Sequence, residues 1–320
     1  MGYICEKLAT NTIKPSEADI ESIMTGVASG LMDEQKNDII RLTAIKALQD
    51  AIPLFKDELQ KENVREFFLT LILKNAAYSN IEISLKATQS LIDIFKSCYQ
   101  YLSTKYMDVI LERTLALMGH NATSIVIAST EFWNSVAQYE LEQKEKIDAG
   151  ERAVPYHGFI QTYGAKITTA LLASLLKKDS EDDDSGMSVH TASLECLINV
   201  NSLASATNKD INIGFIGSQI GSDHDNGKVA ALMCFEAMIL GFNDDISSLI
   251  DSSFSNIIEF LKINATVCRA ALKVIQAVSE RYAAYMLHDK VVNTWLEFLI
   301  TILHSDLKLA SYVCTILASR

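Results

Sequence analysis

The side chains of this chain that could do chemistry are concentrated in one acidic cluster near the middle of the sequence. Five carboxylates stand within six residues, at Asp179, Glu181, Asp182, Asp183 and Asp184. Carboxylates this close repel one another, so the segment that carries them does not fold by itself. The same charges attract a basic partner. A solvent-exposed linker is the alternative, because most charge runs are simply solvated. The chemistry that the cluster indicates is binding.

Other reactive side chains are dispersed along the chain. The six histidines form no cluster with cysteine or aspartate at metal-ligand spacing. The stretch 223–227 is similar to part of a calcium loop, but Cys234 stands where that loop requires glutamate, so we expect a polar turn. Gly214, Gly217 and Gly221 follow no strand, and we expect them to let two helices approach closely. We therefore expect no enzyme, no cofactor and no metal.

Composition restricts the kind of partner and the compartment. The six cysteines are far apart and fall in helical patterns, which predicts free, buried thiols in a reducing compartment. A net charge of −12 argues against direct binding of nucleic acid and favours a basic partner. The longest apolar run, 67–72, is far short of the roughly 20 residues that span a bilayer. No signal peptide opens the chain, and we expect no membrane contact.

A repeated helix pair must position these residues. Small and apolar residues recur at one helical spacing about every forty residues, at Thr43/Leu48, Ala87/Ile92, Ala128/Trp133, Ala192/Leu197, Ala230/Phe235, Ala270/Ile275 and Leu309/Cys314. Apolar residues make up 49% of the chain, and only 3 prolines interrupt it. We predict an all-α fold, a right-handed α-solenoid of HEAT repeats with about seven helix pairs and no β-sheet.

The amphipathic stretches give approximate helix bounds. First helices are predicted at about 17–32, 61–77, 102–118, 156–178, 208–221, 244–262 and 284–304. Second helices are predicted at about 37–52, 81–99, 122–140, 188–206, 227–241, 265–282 and 306–319. Asn80, Asp244 and Asn264 stand just before helices and are predicted to cap them.

One interval between repeats exceeds the period by about 24 residues. The excess divides between a charged helix extension after Glu140, ending in a loop with Gly150 and Pro155, and the acidic loop at about 179–185 between two helices of one repeat. Such insertions often lie on a binding face. Both chain ends are apolar rather than capping in character, so we expect 1–320 to be one solenoid segment of a longer chain.

Taken in register, several motifs resemble the importin-β family, the karyopherin carriers of nuclear import. They are Gly2-Tyr-Ile-Cys-Glu, Tyr99-Gln-Tyr before the third pair, Glu131-Phe-Trp in its second helix, the long helix with its loop, and the acidic loop. Their order and spacing match across essentially all 320 residues. Transportin-type carriers are the nearest rival, and the Tyr-Ile-Cys-Glu and Glu-Phe-Trp motifs favour importin-β.

The resemblance implies a site for Phe-Gly (FG) repeats of nucleoporins between first helices of adjacent repeats. It falls on Met24, Thr25, Ala28, Val64, Phe67 and Phe68. Ala28 and Val64 depart from the family, where a larger aliphatic residue and an acid are common, which implies a differently shaped pocket. Phe67 and Phe68 could instead be ordinary core. Adjacent aromatics on a helix cannot face the same way, so we expect one of them to lie near a surface groove.

The resemblance also implies that the acidic loop binds the GTP form of the Ran GTPase and the basic segment of the adaptor importin-α. The family's inner-helix tryptophans, which stack on the adaptor's basic side chains, are replaced here by Gly186-Met187, Asp225 and Lys273. Trp133 and Trp295 lie in apolar faces and are predicted to be core. The departure favours a divergent member or altered cargo.

Together these features predict a nuclear transport receptor segment that binds FG nucleoporins, Ran-GTP and importin-α or another basic cargo. Its expected location is the cytoplasm and nucleus, including the nuclear pore. The alternative is a HEAT-repeat scaffold of a phosphatase or adaptor complex, in which the acidic loop would only be solvated. Retention on FG peptide separates the two functions.

Overall fold

The computed structural model describes residues 15–177 and 188–282, together with 299–300, 309–310 and 313–314. Within these ranges the chain forms twelve helices longer than one turn and no β-strand: α1 (Glu17–Leu31), α2 (Asp38–Ala51), α3 (Glu62–Ala76), α4 (Ile81–Cys98), α5 (Thr104–Met118), α6 (Thr123–Asp148), α7 (Phe159–Leu175), α8 (Val189–Leu203), α9 (Ala206–Gln219), α10 (Asp225–Gly241), α11 (Ser247–Phe260) and α12 (Ala265–Arg281). The prediction of an all-α repeat fold is confirmed.

These helices form six of the seven predicted pairs, with ends within a few residues of the predicted ones. The seventh pair, predicted at 284–304 and 306–319, lies almost wholly outside the described residues. The charged extension of α6 is helical as predicted and ends at Asp148.

Residues group into two compact units, 1–163 and 164–320. In the first unit the second helices of successive pairs pack on one another, α2 on α4 and α4 on α6. In the second unit α8 packs on α10 and α10 on α12. First helices of neighbouring pairs touch much less, as α1 and α3 do, so a groove remains between them.

The core of the first unit is aromatic. Phe95, Tyr99, Phe132 and Trp133 are buried, and the rings of Phe95 and Phe132 meet edge to face with centroids 5.7 Å apart. The indole Nε1 of Trp133 donates to Thr114 Oγ1 at 2.9 Å, so burial leaves no unsatisfied donor on this side chain. The prediction that Trp133 is core is confirmed, whereas Trp295 lies outside the described residues.

The core of the second unit is centred on α10, which is buried on nearly all sides from Ala230 to Ile239. This helix packs against α8, α9 and α12. A helix that is apolar around its whole circumference requires neighbours on all faces, which explains its central position.

Polar contacts at helix starts join consecutive pairs. Asn80 caps α4 and also donates to Asp38 Oδ2 at 3.0 Å, while Asn264 caps α12 and donates to Asp225 Oδ2 at 2.8 Å. Both predicted caps are confirmed. The prediction for Asp244 is wrong, because the neighbouring Asp245 accepts from Ser247 N at 2.9 Å at the start of α11.

Glu140 belongs to the stretch that the sequence marks as a charged extension, yet it is fully buried. Its carboxylate accepts from Tyr99 Oη at 2.9 Å and from the backbone N–H groups of Phe159 and Ile160 at 2.7 and 2.9 Å. The carboxylate therefore caps the first turn of α7 and anchors the loop that precedes it.

The prediction that Gly214, Gly217 and Gly221 allow helices to approach is wrong. A Cβ added at any of these positions would meet nothing within 4 Å. The close approaches occur instead at Gly30, where an added Cβ would lie 2.5 Å from Ala44 Cβ, and at Gly241, where it would lie 2.6 Å from the carbonyl oxygen of Ile198.

The remaining sequence predictions have mixed outcomes. Cys98, Cys196, Cys234 and Cys268 are free and buried, and Cys314 is free but exposed. Cys5 lies outside the described residues. In the stretch 223–227, the first two residues belong to the turn before α10 and the rest to its first turn. No helix in the described ranges is long and apolar enough to cross a membrane.

Candidate peptide-binding groove

A groove lies between α1 and α3, the first helices of two adjacent pairs. Its volume is about 850 Å³. All six residues predicted for the FG site line this groove: Met24, Thr25, Ala28, Val64, Phe67 and Phe68. The structure thus brings together residues that stand about forty positions apart in the sequence.

Helix geometry explains why one face of each helix reaches the groove. The first turn of α1 is closed by a capping box, in which Ser16 Oγ accepts from Asp19 N at 3.2 Å and Asp19 Oδ2 accepts from Ser16 N at 3.0 Å. Met24 and Ala28 then stand one turn apart on the same face of α1. Val64, Phe67 and Phe68 have the matching i, i+3, i+4 spacing on α3.

The two adjacent phenylalanines play different parts. Phe68 is 2% exposed and packs against Phe55 with ring centroids 5.7 Å apart, so it belongs to the core. Phe67 is 40% exposed, and its ring meets that of Phe68 nearly edge-on at 5.5 Å. Both side chains line the groove, and Phe67 is the one that reaches the surface, as expected for one of the two. Phe67 presents an aromatic ring to the groove, while Phe68 supports its floor.

Sequence reasoning missed several further residues that line the groove, namely Glu17, Glu21, Ser29, Met32, Glu58, Lys61 and Asn63. A signal for part of this set exists in the sequence. Glu17, Glu21, Met24, Ala28 and Met32 recur at steps of three or four and therefore form one stripe along α1. The acidic residues of the stripe look like an ordinary solvated face until α3 is placed beside them.

Charged side chains lie close together where α1 and α3 begin. Lys61 Nζ pairs with Glu58 Oε2 at 2.7 Å and lies within 2.8 Å of Oε1. The hydrogen bond that Lys61 donates to Glu58, followed by the negative charges of Glu58, Glu17 and Glu21, raises the pKa of Lys61 above its usual value. The groove therefore has an apolar middle and an acidic mouth.

This arrangement is suited to binding an aromatic side chain. An exposed aromatic ring above a buried apolar floor can hold another aromatic side chain, and such contacts dominate many interfaces. Among the described residues no three His, Cys, Asp or Glu side chains are placed to hold a metal ion.

The other sequence-predicted positions do not join this groove. Asp179, Glu181, Asp182, Asp183 and Asp184 lie outside the described residues, in the connection between α7 and α8, as does Gly186-Met187. Asp225 opens α10 and accepts the hydrogen bond from Asn264. Lys273 lies half-buried on α12, near Glu236 of α10. Neither replaces the stacking surface of a tryptophan.

The sequence is similar to those of curated importin proteins. No protein-family model matches the chain. Importin subunit beta-1 of Schizosaccharomyces pombe is 23% identical over 248 residues, covering 76% of this chain and 28% of the relative. Importin subunit beta-1 of Arabidopsis thaliana is 24% identical over 186 residues, covering 57% of this chain and 21% of the relative. The chain thus spans about a quarter of the length of these relatives.

Solved structures share the fold over nearly the whole chain. A crystal structure of importin β from an ammonium sulfate condition has a TM-score of 0.90 at 18% identity, covering 99% of this chain and 37% of that one. A complex of Kap95 with Nup1 has a TM-score of 0.89 at 18% identity, with the same coverage. Kap95p, whose binding switches the loops of RanGDP to the GTP-bound conformation, has a TM-score of 0.88 at 17% identity, again covering 99% and 37%.

The prediction of a HEAT-repeat solenoid is confirmed by this shared fold. The sequence matches to importin subunit beta-1 in two organisms point to the same group of proteins as the fold. The chain is thus similar in sequence and in fold to members of the importin-β, or karyopherin-β, family.

Proposed function

We propose that this chain is part of a nuclear transport receptor and that the groove between α1 and α3 binds Phe-Gly segments of nucleoporins. The observation that carries the proposal is the convergence on one groove of the six residues at the positions that the resemblance implies, with Phe67 exposed above a buried floor. The complex of Kap95 with Nup1, which has the same fold, supports a nucleoporin as the ligand.

Physical chemistry favours a phenylalanine as the inserted group. Burying one such side chain contributes about 1.5–3 kcal/mol, which corresponds to a weak individual contact. A nucleoporin carries many Phe-Gly segments, so weak contacts combine while each one still exchanges quickly. Such binding suits a carrier that has to move through a pore, and it implies residence in the cytoplasm, the nucleus and the pore itself.

We further propose that the acidic cluster contributes to binding the GTP form of Ran and a basic adaptor or cargo such as importin-α. Its charge supports a basic partner, and the Kap95p structure with RanGDP supports Ran. Because Asp225 and Lys273 stand where the family has tryptophan, adaptor binding here would depend on charge and hydrogen bonds rather than on cation–π stacking. Neither nucleic acid nor a membrane is a proposed partner.

Phe67→Asp tests the groove directly. We expect this variant to lose at least tenfold in affinity for immobilised Phe-Gly peptide, because it places a charge where an aromatic ring must dock. Its melting temperature should fall little, since Phe67 is exposed. Thr25→Lys should be equally mild in stability and should also reduce binding.

Phe68→Asp is the matched control, because its ring is core and its substitution should unfold the unit. A phosphatase-type scaffold has no reason to be retained on the peptide. Unchanged binding by a folded Phe67→Asp variant would therefore reject the groove as the FG site.

A further inference from the structure

The charged side chains at the mouth of the groove are mostly negative. Three carboxylates, those of Glu17, Glu21 and Glu58, line it beside the single ammonium of Lys61. Glu58 already engages this ammonium through both carboxylate oxygens. Among the described residues, no cation lies within 4.0 Å of Glu17 or Glu21. The mouth therefore has a net negative charge with two exposed carboxylates available to a ligand.

These carboxylates lie close to the apolar part of the groove. Glu21 precedes Met24 by three residues on α1 and Glu17 precedes it by seven, which corresponds to about 5 and 10 Å along the helix axis. An extended peptide advances about 3.3 Å per residue. A basic residue two or three positions from an inserted phenylalanine is thus within reach of the mouth.

We infer that the groove discriminates among aromatic segments by charge, preferring those with lysine or arginine two or three residues from the phenylalanine over those with aspartate or glutamate there. The inference rests on the proposed function, because it requires an aromatic side chain in the groove. The apolar middle supplies the affinity, and Glu17 and Glu21 supply the preference. At 0.1 M salt the Debye length is about 10 Å, so both carboxylates act over the distances involved.

Three fluorescent peptides test this inference, each with one central Phe-Gly pair and otherwise neutral residues. They differ only in two flanking positions, which are lysine, serine or glutamate. Fluorescence anisotropy with the full chain at low salt should give the tightest Kd for the lysine peptide and the weakest for the glutamate peptide. We expect about a three- to tenfold span, as is usual for exposed charge pairs, and the span should collapse at 1 M salt.

Matched variants separate the groove from the charge of the whole chain. Glu17→Gln with Glu21→Gln should bring the three Kd values together while leaving the serine peptide bound as before. Glu142→Gln with Glu145→Gln removes the same charge from exposed positions on α6 and should preserve the span. Equal binding of the three peptides, or an equal effect of the two double variants, overturns the charge preference.

The failure of the proposed function would look different. If Phe67→Ala leaves the Kd of all three peptides unchanged, the peptides bind elsewhere, and both the groove assignment and the inference are wrong. If Phe67→Ala weakens all three peptides but none differs from the others in the parent chain, only the charge preference is wrong.

Discussion

Glu236 carries a carboxyl group that is largely removed from water. It lies half-buried on α10, and its Oε2 has no hydrogen-bond partner among the described residues. Burial raises its pKa from 4.5 to about 7; Lys273 opposes the shift and Glu280 adds to it. Since the folded pKa is above the unfolded one, the stability associated with the neutral form is complete below about 4.5 and is lost as pH rises through about 7.

Glu236→Gln should therefore stabilise the chain at pH 8 and change little at pH 4.5. The free energy of unfolding at pH 8 should rise by about 2 kcal/mol, because the glutamine avoids burying a charge. Urea unfolding at the two pH values measures it. Glu195→Gln, at an exposed position on α8, serves as the control and should show no such dependence. An equal effect of Glu236→Gln at both pH values would contradict the assignment.

The sequence could predict the burial of some side chains but not of others. Trp133 and the division between Phe67 and Phe68 follow from helical periodicity, which is local. Glu140 and Glu236 do not, because a carboxylate in a helix pattern looks solvated. Glu140 is buried by Tyr99 and by the start of α7, and both lie far from it in sequence. Such burial depends on tertiary packing alone.

At the scale of the element, α9 is docked unlike its neighbours. The residues that it fully buries are Asn208 and Asn212. Asn208 Nδ2 donates to Thr168 Oγ1 at 2.8 Å, and Asn212 Nδ2 donates to Asn201 Oδ1 at 3.0 Å. Elsewhere on the helix stand Gly214 and Gly217, where an added Cβ would meet nothing within 4 Å. Hydrogen bonds of buried asparagines therefore help to dock this helix, together with the apolar packing of Ile216.

Gly214→Ala and Gly217→Ala should each stabilise the chain by about 0.5–1 kcal/mol. Their added Cβ atoms meet open space, and alanine loses less backbone entropy in a helix. The midpoint of urea unfolding reports the change. Gly30→Ala is the control and should destabilise, because its Cβ would collide with Ala44. Destabilisation by both α9 substitutions would mean that the glycines do serve a close contact.

Helices were predictable here because each has an amphipathic face that repeats with the same period as its neighbours. The exact ends of the helices were less predictable. Asp244 and Asp245 are equally good caps by residue type, and only the path of the chain before Ser247 decides between them. The glycines of α9 were misread for a related reason, since residue size does not reveal which face of a helix has a neighbour.

At the scale of the whole molecule, charge is unevenly distributed. The chain has a net charge of −12, and five carboxylates of the acidic cluster fall within six residues. A concentrated charge raises the association rate of an oppositely charged partner more than a dispersed one does, and salt reduces the gain. The cluster should therefore act mainly on the rate of encounter.

Changing Glu181, Asp182, Asp183 and Asp184 together to serine should slow association with Ran-GTP by about tenfold at low salt, with little loss of stability. Stopped-flow binding at low and high salt measures the effect. A control variant removes the same charge from exposed positions by combining Glu142→Gln, Glu145→Gln, Asp148→Asn and Glu151→Gln. Its association with Ran-GTP should slow much less. Unchanged association of the serine variant at low salt would identify the cluster as a solvated linker.

The period of the repeats alone predicted the class of fold, because a helix pair every forty residues has few other solutions. The partners came from a resemblance in the order of motifs, which physical pattern alone does not supply. The acidic mouth of the groove needed three-dimensional placement, since the charges of Glu17 and Glu21 act on Lys61 only when the start of α3 lies beside α1.

One buried arginine has a consequence for how the groove works. Arg41 Nη1 donates to the carbonyl oxygen of Leu31, at the end of α1, and to Asn75 Oδ1 near the end of α3, both at 2.8 Å. Asn75 Nδ2 donates to the same carbonyl at 3.1 Å. These hydrogen bonds join α1 and α3, the two walls of the groove, beyond its end. They hold the two helices at a fixed separation, so the width of the groove does not depend on a ligand. Walls that are already joined should reduce the free energy that a ligand spends on ordering its site, which favours binding through weak contacts.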